Sequence, residues 1–504
     1  MNHFSTKLGG VRVRGSASGL SLAWASVAAI ALAMNGCGGD DDDATSSTGA
    51  HGGSGGSAGK GGASGRAGKG GNAGRTGEAG ANEAGSGGRG GTGARGGSSG
   101  TAGHGEAGTG GSPGGAGETN TAGQGNGGES AGETGQGGAK GEGGATLINP
   151  DDFDGKQIFR FDTFGDEAFW THTLRLNEAI ESALDPTTAL SLGLKVDAAA
   201  LPDGILESAD LSDPATTVAL IGLNAVVGVR GTVSSSGKLT SVGITCALCH
   251  SSVDDSVMPG IGLRLDGQAN HELDPGAIIA LSPGLAGNTA ALDVFNSWGP
   301  GFYDPRYNED GINHPVVIPS IYGLSQVPVE TYTGDGPVSY WNAYVAVTQM
   351  HGIGTFFDPR IDVAVIYDRD LVTPKLPALF DYEMTLTPPA VPSNAFDADA
   401  AARGLAVFTG SGQCSTCHSG PAFTDAASRL HAATETGMDP ITADRSATGL
   451  YRTTPLRALL RNGPYFHDGS AATLADVVTH YDTTLSLGLS TGDKADLAEY
   501  LKSL

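Results

Sequence analysis

A long glycine-rich stretch without large apolar side chains limits how much of this chain can fold. Between residues 38 and 146 there is no Leu, Ile, Val, Met, Phe, Trp or Tyr. Such a segment has no hydrophobic surface to bury, so it cannot offset the entropy lost on ordering. We therefore predict a disordered linker over residues 37–146. Glycine falls at every third position from residue 53 to 80, but Pro113 is the only proline between residues 38 and 146, which argues against a collagen helix. As a flexible coil the linker would span roughly 55 to 60 Å.

The N-terminus has the features of an export signal. Lys7, Arg12 and Arg14 precede an apolar run over residues 20–34, and Cys37 follows it closely. Residues 33–37 resemble a bacterial lipoprotein cleavage box, with Met34 at the position where leucine is usual. We predict a lipoprotein signal peptide over residues 1–36, with an ordinary signal peptide or a short anchor as the alternative. The chain would then be exported, as a periplasmic or outer-membrane-anchored lipoprotein held to the membrane only by lipid on Cys37.

The charge balance excludes one class of partner. The formal net charge is -25 and the isoelectric point is about 4.7. Nucleic-acid binding needs clustered Lys and Arg side chains that neutralise phosphates, so we expect no nucleic acid. An acidic surface suits either a basic redox partner or simple solubility.

Apolar and aromatic residues begin at Leu147 and continue to the end of the chain. Prolines at 388, 389 and 392 divide this region into an N-terminal part, residues 147–387, and a C-terminal part, residues 388–504. The C-terminal part is predicted to be helical: Asp397 caps one helix that Gly410 ends, Thr473 and Asp476 form a capping box, and a last helix begins at about residue 491.

The chain contains two copies of one cysteine and histidine pattern, Cys-x-x-Cys-His, that can bind a cofactor. They are Cys246-Ala247-Leu248-Cys249-His250 and Cys414-Ser415-Thr416-Cys417-His418, the first and second motifs below. Thiols one helical turn apart can form thioethers with the two vinyl groups of a haem, and the adjacent histidine then lies under the iron. A zinc site would need four converging ligands, and a redox dithiol or disulfide would not need a histidine after each pair. We predict two covalently bound haems c, with His250 and His418 as iron ligands.

The residue on the opposite side of each iron decides function. For the second motif the candidates are Tyr481, on the buried face of the helix that starts at Thr473, and Met438, a soft thioether ligand, while His480 lies about 100° away round the helix. For the first motif no ligand stands out: His271, His314, Met350 and His351 are available, and an open position is equally compatible. Cleavage of peroxide needs a group that moves a proton between its oxygens, so Gln349 and His351 are candidate catalytic residues.

One segment after the second motif resembles the di-haem cytochrome c peroxidase and MauG family. It is Pro455-Leu456-Arg457-Ala458-Leu459-Leu460-Arg461-Asn462-Gly463-Pro464-Tyr465-Phe466-His467-Asp468-Gly469-Ser470, followed by Thr473-Leu474 and His480-Tyr481. The resemblance implies a mainly α-helical protein with two cytochrome c-like haem domains, residues 147–387 and 388–504, the first enlarged by insertions. It places His467 at the second haem and Tyr481 as distal ligand of that haem, as in MauG-like members. The family's tryptophan between the haems lies in a Trp-Asp-Gly-Arg motif. Here the related segment, Gly334-Asp335-Gly336-Pro337, lacks it, and Trp341 follows nearby. Calcium between the domains is a feature of some members.

The resemblance also implies an activity. A small redox protein, a cytochrome c or a cupredoxin, would reduce the haem on His418, electrons would pass to the haem on His250, and hydrogen peroxide would be reduced there. Two alternatives stay open at this point: an electron-transfer cytochrome without a substrate, and a di-haem oxygenase that uses dioxygen.

Overall fold

Short helices joined by hydrogen-bonded turns make up most of residues 153–504, the part of the chain that this computed structural model describes. The predicted signal peptide, Cys37 and the predicted linker lie outside the described residues. The α-helices are α1 Gly155–Phe161, α2 Leu176–Ala183, α3 Pro186–Ser191, α4 Ile205–Ser208, α5 Pro214–Gly222, α6 Ala247–His250, α7 Pro275–Ala280, α8 Thr289–Phe295, α9 Tyr307–Asp310, α10 Val338–Tyr344, α11 Leu376–Glu383, α12 Ala398–Thr409, α13 Ala433–Thr436, α14 Ile441–Asp444, α15 Leu474–Thr484 and α16 Thr491–Lys502.

Single turns of 3-10 and π-helix extend this framework. The 3-10 turns are Ala198–Ala200, Pro283–Leu285, Leu324–Gln326, Thr373–Lys375, Cys414–Thr416 and Leu459–Arg461, and the π-helices are Ala168–Thr173 and Val345–Gln349. The second π-helix continues α10 and ends on Gln349. The prediction of a mainly α-helical chain is confirmed.

The strands are short and pair two by two. They are β1 Val196–Asp197, β2 Val229–Val233, β3 Leu239–Ile244, β4 Ser251–Val253, β5 Ile261–Gly262, β6 Arg264–Asp266, β7 Phe302–Tyr303, β8 Val316–Val317, β9 Phe356–Asp358 and β10 Val363–Val365. β1 pairs with β5 in parallel, while β2 with β3, β4 with β6, β7 with β8 and β9 with β10 are antiparallel. The β2–β3 hairpin leads directly into the first motif, and the β4–β6 pair follows it.

An Asp-Pro pair starts three of the helices. Asp185, Asp213 and Asp274 each accept a hydrogen bond from a backbone N–H of the first turn, and the proline after each occupies the first helical position. Proline is favoured there because its ring fixes φ and it lacks an N–H that would otherwise be unpaired.

Three hydrophobic clusters form most of the core. The first cluster contains Trp170, Ile221, Leu273, Phe295 and Trp298 among others, and the second contains Phe159, Tyr344, Val347, Met350 and Leu379. The third lies wholly in residues 407–504 and is built from Val407, Phe408, Leu459, Leu474, Val478, Leu489, Leu497 and Leu501. Residues 153–504 belong to one compact unit, and the predicted domain boundary at residues 387/388 stays a prediction.

The predicted helices of the C-terminal part are confirmed. Asp397 caps α12 and Gly410 ends it, while Thr473 and Asp476 form the capping box of α15. α12 packs on α16 closely enough that a Cβ at Gly404 would lie 2.0 Å from the carbonyl oxygen of Asp496. Within the described residues, every helix is too short or too polar to cross a bilayer.

Candidate haem sites

The first motif lies between two of the hydrophobic clusters. Cys246 packs against the second cluster and Cys249 against the first cluster. Gly228, at φ +76°, precedes β2 and touches the motif: a Cβ there would lie 2.2 Å from the Cα of Leu248. Only glycine permits this close approach at a positive φ. The strand therefore holds α6 in the interior.

The second motif borders a large cavity. Cys414, Cys417 and His418 line it, in a volume of about 460 Å³. Sites for cofactors and other small molecules occupy about 300–1,000 Å³. We call this space the large cavity. The other lining residues that matter below are Tyr332, Met438, Arg452, His467 and Tyr481.

The two motif histidines share one hydrogen-bond geometry. His250 Nδ1 donates to the carbonyl oxygen of Pro319 at 3.0 Å, and His418 Nδ1 donates to that of Phe423 at 3.0 Å. Burial lowers the pKa of His250 to about 4 and also lowers the pKa of His418. Each ring is therefore neutral at physiological pH, with the proton on Nδ1 and a lone pair on Nε2. This tautomer is the one that binds a metal through Nε2 while a second group orients the ring.

The cysteines have the properties of structural rather than reactive thiols. All four are free of disulfides. Burial raises the pKa of Cys249 to about 12 and that of Cys414 to about 11. A redox dithiol needs a lowered thiol pKa. Cys417 lies near Asp425 and His431, but these make only three ligands and a structural zinc site takes four.

Both candidate distal ligands of the second site reach the large cavity. Tyr481 and Met438 line it together with His418. Burial raises the pKa of Tyr481 to about 12, with a further contribution from Cys417. His480 is engaged elsewhere, since its Nε2 donates to the carbonyl oxygen of Thr436 at 2.8 Å. The choice between Tyr481 and Met438 stays a prediction.

His467 lies in the wall of the large cavity, as the resemblance implies. It is 2% exposed, its Nε2 is 3.2 Å from the hydroxyl of Tyr451, and its carbonyl oxygen accepts from the N–H of Val317 at 2.7 Å. The ring of Tyr332 lies 6.2 Å from that of His467. An aromatic side chain from the segment just before Gly334 therefore borders this cavity.

Trp341 packs against the second cluster, as Cys246 of the first motif does, and contacts the rings of Tyr340 and Tyr344. Its indole Nε1 is buried without a hydrogen-bond partner. Buried donors are almost always paired. An orphaned donor in this cluster suits an acceptor that the polypeptide does not provide, such as a haem propionate.

A small cavity of about 20 Å³ lies within the first cluster, and Gln349 and His351 line it together with Tyr303 and Asn308. This volume exceeds the roughly 10–15 Å³ that one water needs. His351 stacks on Phe169 with ring centroids 3.6 Å apart, and burial lowers the pKa of His351 to about 4. Burial raises the pKa of the Tyr303 hydroxyl, and Cys249 of the first motif is near enough to add to this rise.

A half-buried carboxyl bonded to a residue of the small cavity was missed by the sequence analysis. Glu309 Oε1 accepts from Gln349 Nε2 at 3.1 Å, and Glu309 Oε2 accepts from the Tyr344 hydroxyl at 3.0 Å. Gln349 Oε1 in turn accepts from the Tyr303 hydroxyl at 2.9 Å and from Asn308 Nδ2 at 3.2 Å. Burial raises the pKa of Glu309 to about 8. We call Tyr303, Asn308, Glu309, Tyr344 and Gln349 the buried network.

The residues present fit two haems c. Each motif supplies two thiols and a neutral, oriented histidine, and the second motif opens on a cavity of cofactor size. Calcium stays a prediction from the resemblance. The sites differ in one respect: tyrosine and methionine side chains are available beside the second motif, whereas Cys249 of the first motif acts electrostatically on Tyr303 of the buried network.

Comparison with known proteins gives one sequence match to a curated protein. Over 94 residues the chain is 39% identical to the methylamine utilization protein MauG of Methylorubrum extorquens. The matched region is 18% of this chain and 26% of MauG. The chain therefore matches about a quarter of the length of that relative. No protein-family model matches the chain.

Two solved structures are similar over part of the chain. Hydrazine synthase of Kuenenia stuttgartiensis matches with 20% identity and a TM-score of 0.29, over 42% of this chain and 78% of that chain. A MauG-like protein associated with microbial copper homeostasis matches with 20% identity and a TM-score of 0.28, over 39% of this chain and 75% of that protein's chain.

Proposed function

We propose that this chain is a di-haem c-type oxidoreductase that takes electrons through the second motif and reduces hydrogen peroxide at the first motif. The two oriented histidines and the similarity to MauG support the di-haem assignment. The buried network supports the direction of the reaction, since it holds an acid whose pKa is raised to about 8 against Gln349, which lines a cavity large enough for a small molecule. This contact between an acid and a small cavity is the observation that carries the proposal.

The chemistry needs both electrons and protons. Reduction of hydrogen peroxide to two waters consumes two electrons and two protons. The haems, when bound, supply the redox equivalents and the iron at which peroxide is held. The side chains supply the proton handling: an amide such as Gln349 orients but does not titrate, whereas Glu309 holds a proton at neutral pH and can release it.

His351 and Gln349 have different parts in this proposal. His351 is neutral because burial lowers its pKa, and it forms one wall of the small cavity. Gln349 connects Glu309 to the Tyr303 hydroxyl through hydrogen bonds of 3.1 and 2.9 Å. The amide orients the Glu309 carboxyl but does not carry the proton, so a proton from Glu309 would reach a small molecule in the cavity through a water, for which the cavity has room.

The electron donor and the cellular setting are part of the proposal. A small redox protein, a cytochrome c or a cupredoxin, would dock near the second motif. Export by residues 1–36 and lipid attachment at Cys37 would tether the enzyme through the linker over residues 37–146, in the periplasm or at the outer membrane.

Electron paramagnetic resonance of the oxidised holoprotein tests the proposal. One high-spin and one low-spin ferric signal, with peroxide-dependent oxidation of a reduced cytochrome, is the expected result. Replacement Tyr481→Phe should change the low-spin signal if Tyr481 is the second ligand, and Met438→Leu is the matched variant for the other candidate. Two low-spin haems in every redox state and no peroxide turnover would establish an electron carrier, while stable dioxygen binding would favour an oxygenase.

A further inference from the structure

The loop that brings Glu309 to the small cavity packs Tyr307 into the first cluster and accepts a hydrogen bond from the Tyr344 hydroxyl at the carbonyl oxygen of Pro305, while its two ends are held separately. It runs from Tyr303, at the end of β7, through α9 to residue 314, and α9 is a single helical turn. Asn308 and Glu309 both belong to that turn. A helix of this length is not stable by itself, so the position of the Glu309 carboxyl depends on what holds the ends of the loop.

One arginine from the C-terminal part holds both ends. Arg445 Nη2 is 2.9 Å from Asp304 Oδ1, and Arg445 Nε is 2.7 Å from Asp310 Oδ2. The same guanidinium donates to the carbonyl oxygens of Ile312 at 2.9 Å and His314 at 3.3 Å. The Arg445 side chain is 7% exposed and that of Asp304 is 0% exposed, so water does not screen the pair.

Asp304 passes this restraint to the backbone. Its Oδ1 accepts from the N–H of Arg306 and of Tyr307, each at 3.0 Å, and its Oδ2 accepts from the N–H of His314 at 2.6 Å. The Asp304 carboxylate therefore joins the two ends of the loop by hydrogen bonds, and the Arg445 guanidinium neutralises the charge of that carboxylate. Without a cation beside it, a buried carboxylate is costly and would take up a proton or move to water.

We propose that Arg445 is a positioning residue for the first haem site: from the C-terminal part of the chain, it fixes the 304–314 loop so that Glu309 meets Gln349 at the small cavity. The inference rests on the proposed function in that Glu309 is taken as the proton donor. Arg445 touches neither cavity, so its effect reaches the site only through the loop.

The placement couples the two halves of the described chain. Arg445 directly follows α14, and the preceding turn carries Met438, which lines the large cavity. Glu309 therefore takes its position at the first site only when the segment with Met438 and Arg445, which borders the second site, packs against the 304–314 loop. A planar guanidinium suits this task because it donates in a fixed fork to two carboxylates at once, which a lysine ammonium does not.

The test compares Arg445→Gln and Arg445→Lys with wild-type holoprotein. The matched control is Arg403→Gln, which removes an arginine bonded to Asp496 at 2.7 Å by two nitrogens in an exposed pair far from the first motif in sequence. We expect Arg445→Gln to lower kcat for peroxide by about 100-fold with little change in KM, as a misplaced catalytic group does. Arg445→Lys should recover part of the loss, and Arg403→Gln should match wild type.

A second readout does not require turnover. Hydrogen cyanide must lose its proton to bind ferric haem, so the rate of cyanide binding at the first haem should rise as the Glu309 carboxyl ionises at about pH 8. The charged and titratable groups that face Glu309 are Arg306, Asp310, Tyr344 and Tyr303. Arg445→Gln should move the midpoint to lower pH, because the loosened loop lets water reach the carboxyl.

The outcomes separate the two ideas. A wild-type protein without peroxide turnover but with a cyanide midpoint that Arg445→Gln lowers would overturn the proposed function and support the positioning role. An unchanged midpoint with only a lower melting temperature would overturn the positioning role. If Arg445→Gln does not fold, Arg445→Lys, which keeps the positive charge and loses the forked geometry, should give a smaller shift in the same direction, and no shift there would overturn it as well.

Discussion

Two glutamates show how local contacts decide the role of a residue. Burial raises the pKa of both Glu309 and Glu383 to about 8. Glu383 accepts from Asn342 Nδ2 at 2.6 Å, whereas Glu309 accepts from Gln349 at the edge of the small cavity. Both carboxyls can thus hold a proton at neutral pH, but only Glu309 is hydrogen-bonded to a residue that lines the small cavity.

Replacement of Glu309 by glutamine should remove the proton donor and keep the shape of the buried network. We expect kcat for peroxide to fall by about 10²–10⁴-fold and the loss of activity above about pH 8 to disappear from the pH profile. The measurement is steady-state turnover with a reduced cytochrome between pH 6 and 9. Glu383→Gln is the control and should keep the wild-type profile. Equal losses in both variants would contradict the assigned role.

The attachment residues could be predicted from sequence because their chemistry requires fixed spacing. Cys246, Cys249 and His250 lie within five positions of one another, so the pattern is visible without a fold. Glu309 and Gln349 are forty positions apart, and their contact depends on the loop held by Arg445. No periodicity or motif links these three residues, so the acid could not be predicted before the fold was known.

At the level of secondary structure, the start of α15, the helix that carries Tyr481, depends on its N-cap residue Thr473. Thr473 Oγ1 accepts from the N–H of Asp476 at 3.2 Å, and Asp476 Oδ2 accepts from the N–H of Thr473 at 2.9 Å. The box pairs two backbone N–H groups that the helix leaves free. It thereby fixes where α15 begins and which side chains face the large cavity.

Removal of this cap should cost stability. We expect Thr473→Ala to lower the free energy of unfolding by about 1 kcal/mol. Thr479→Ala, an exposed change in the middle of the same helix, is the control and should have little effect or a slightly stabilising one, since alanine has the higher helix propensity. Denaturant unfolding followed by circular dichroism gives both values. A Thr473→Ala protein as stable as Thr479→Ala would show that tertiary packing alone sets the start of α15.

The long elements could be predicted and the short ones could not. α12, α15 and α16 have capping residues and an apolar face over several turns, and their predicted starts at Asp397, Thr473 and residue 491 agree with the structure. The strands β1, β5, β7 and β8 have two residues each, too few to show an alternating pattern. The π-helix that ends on Gln349 likewise follows from how α10 packs, because its sequence differs little from that of an ordinary helix.

For the molecule as a whole, buried carboxyls link folding to pH. Burial raises the pKa of Asp166 to about 9, in addition to Glu309 and Glu383 at about 8. In the unfolded chain such groups ionise at about pH 4. The folded protein therefore binds more protons than the unfolded chain between these values, and its stability falls as the pH rises through that window. Below about pH 4 the contribution is complete, and near pH 8–9 it is lost.

Stability should consequently decrease from pH 5 to pH 8, by up to about 1.4 kcal/mol per pH unit for each such group. Glu383→Gln retains an acceptor for Asn342 but does not titrate, so the slope of unfolding free energy against pH should become shallower in this variant. Glu207→Gln, a change at an exposed carboxylate, is the control and should keep the wild-type slope. Denaturant titrations of the holoprotein at pH 5, 6, 7 and 8 measure the three slopes. Parallel curves for all three proteins would mean that Glu383 is ionised in the folded state, and that water or a neighbouring cation stabilises its charge despite its burial.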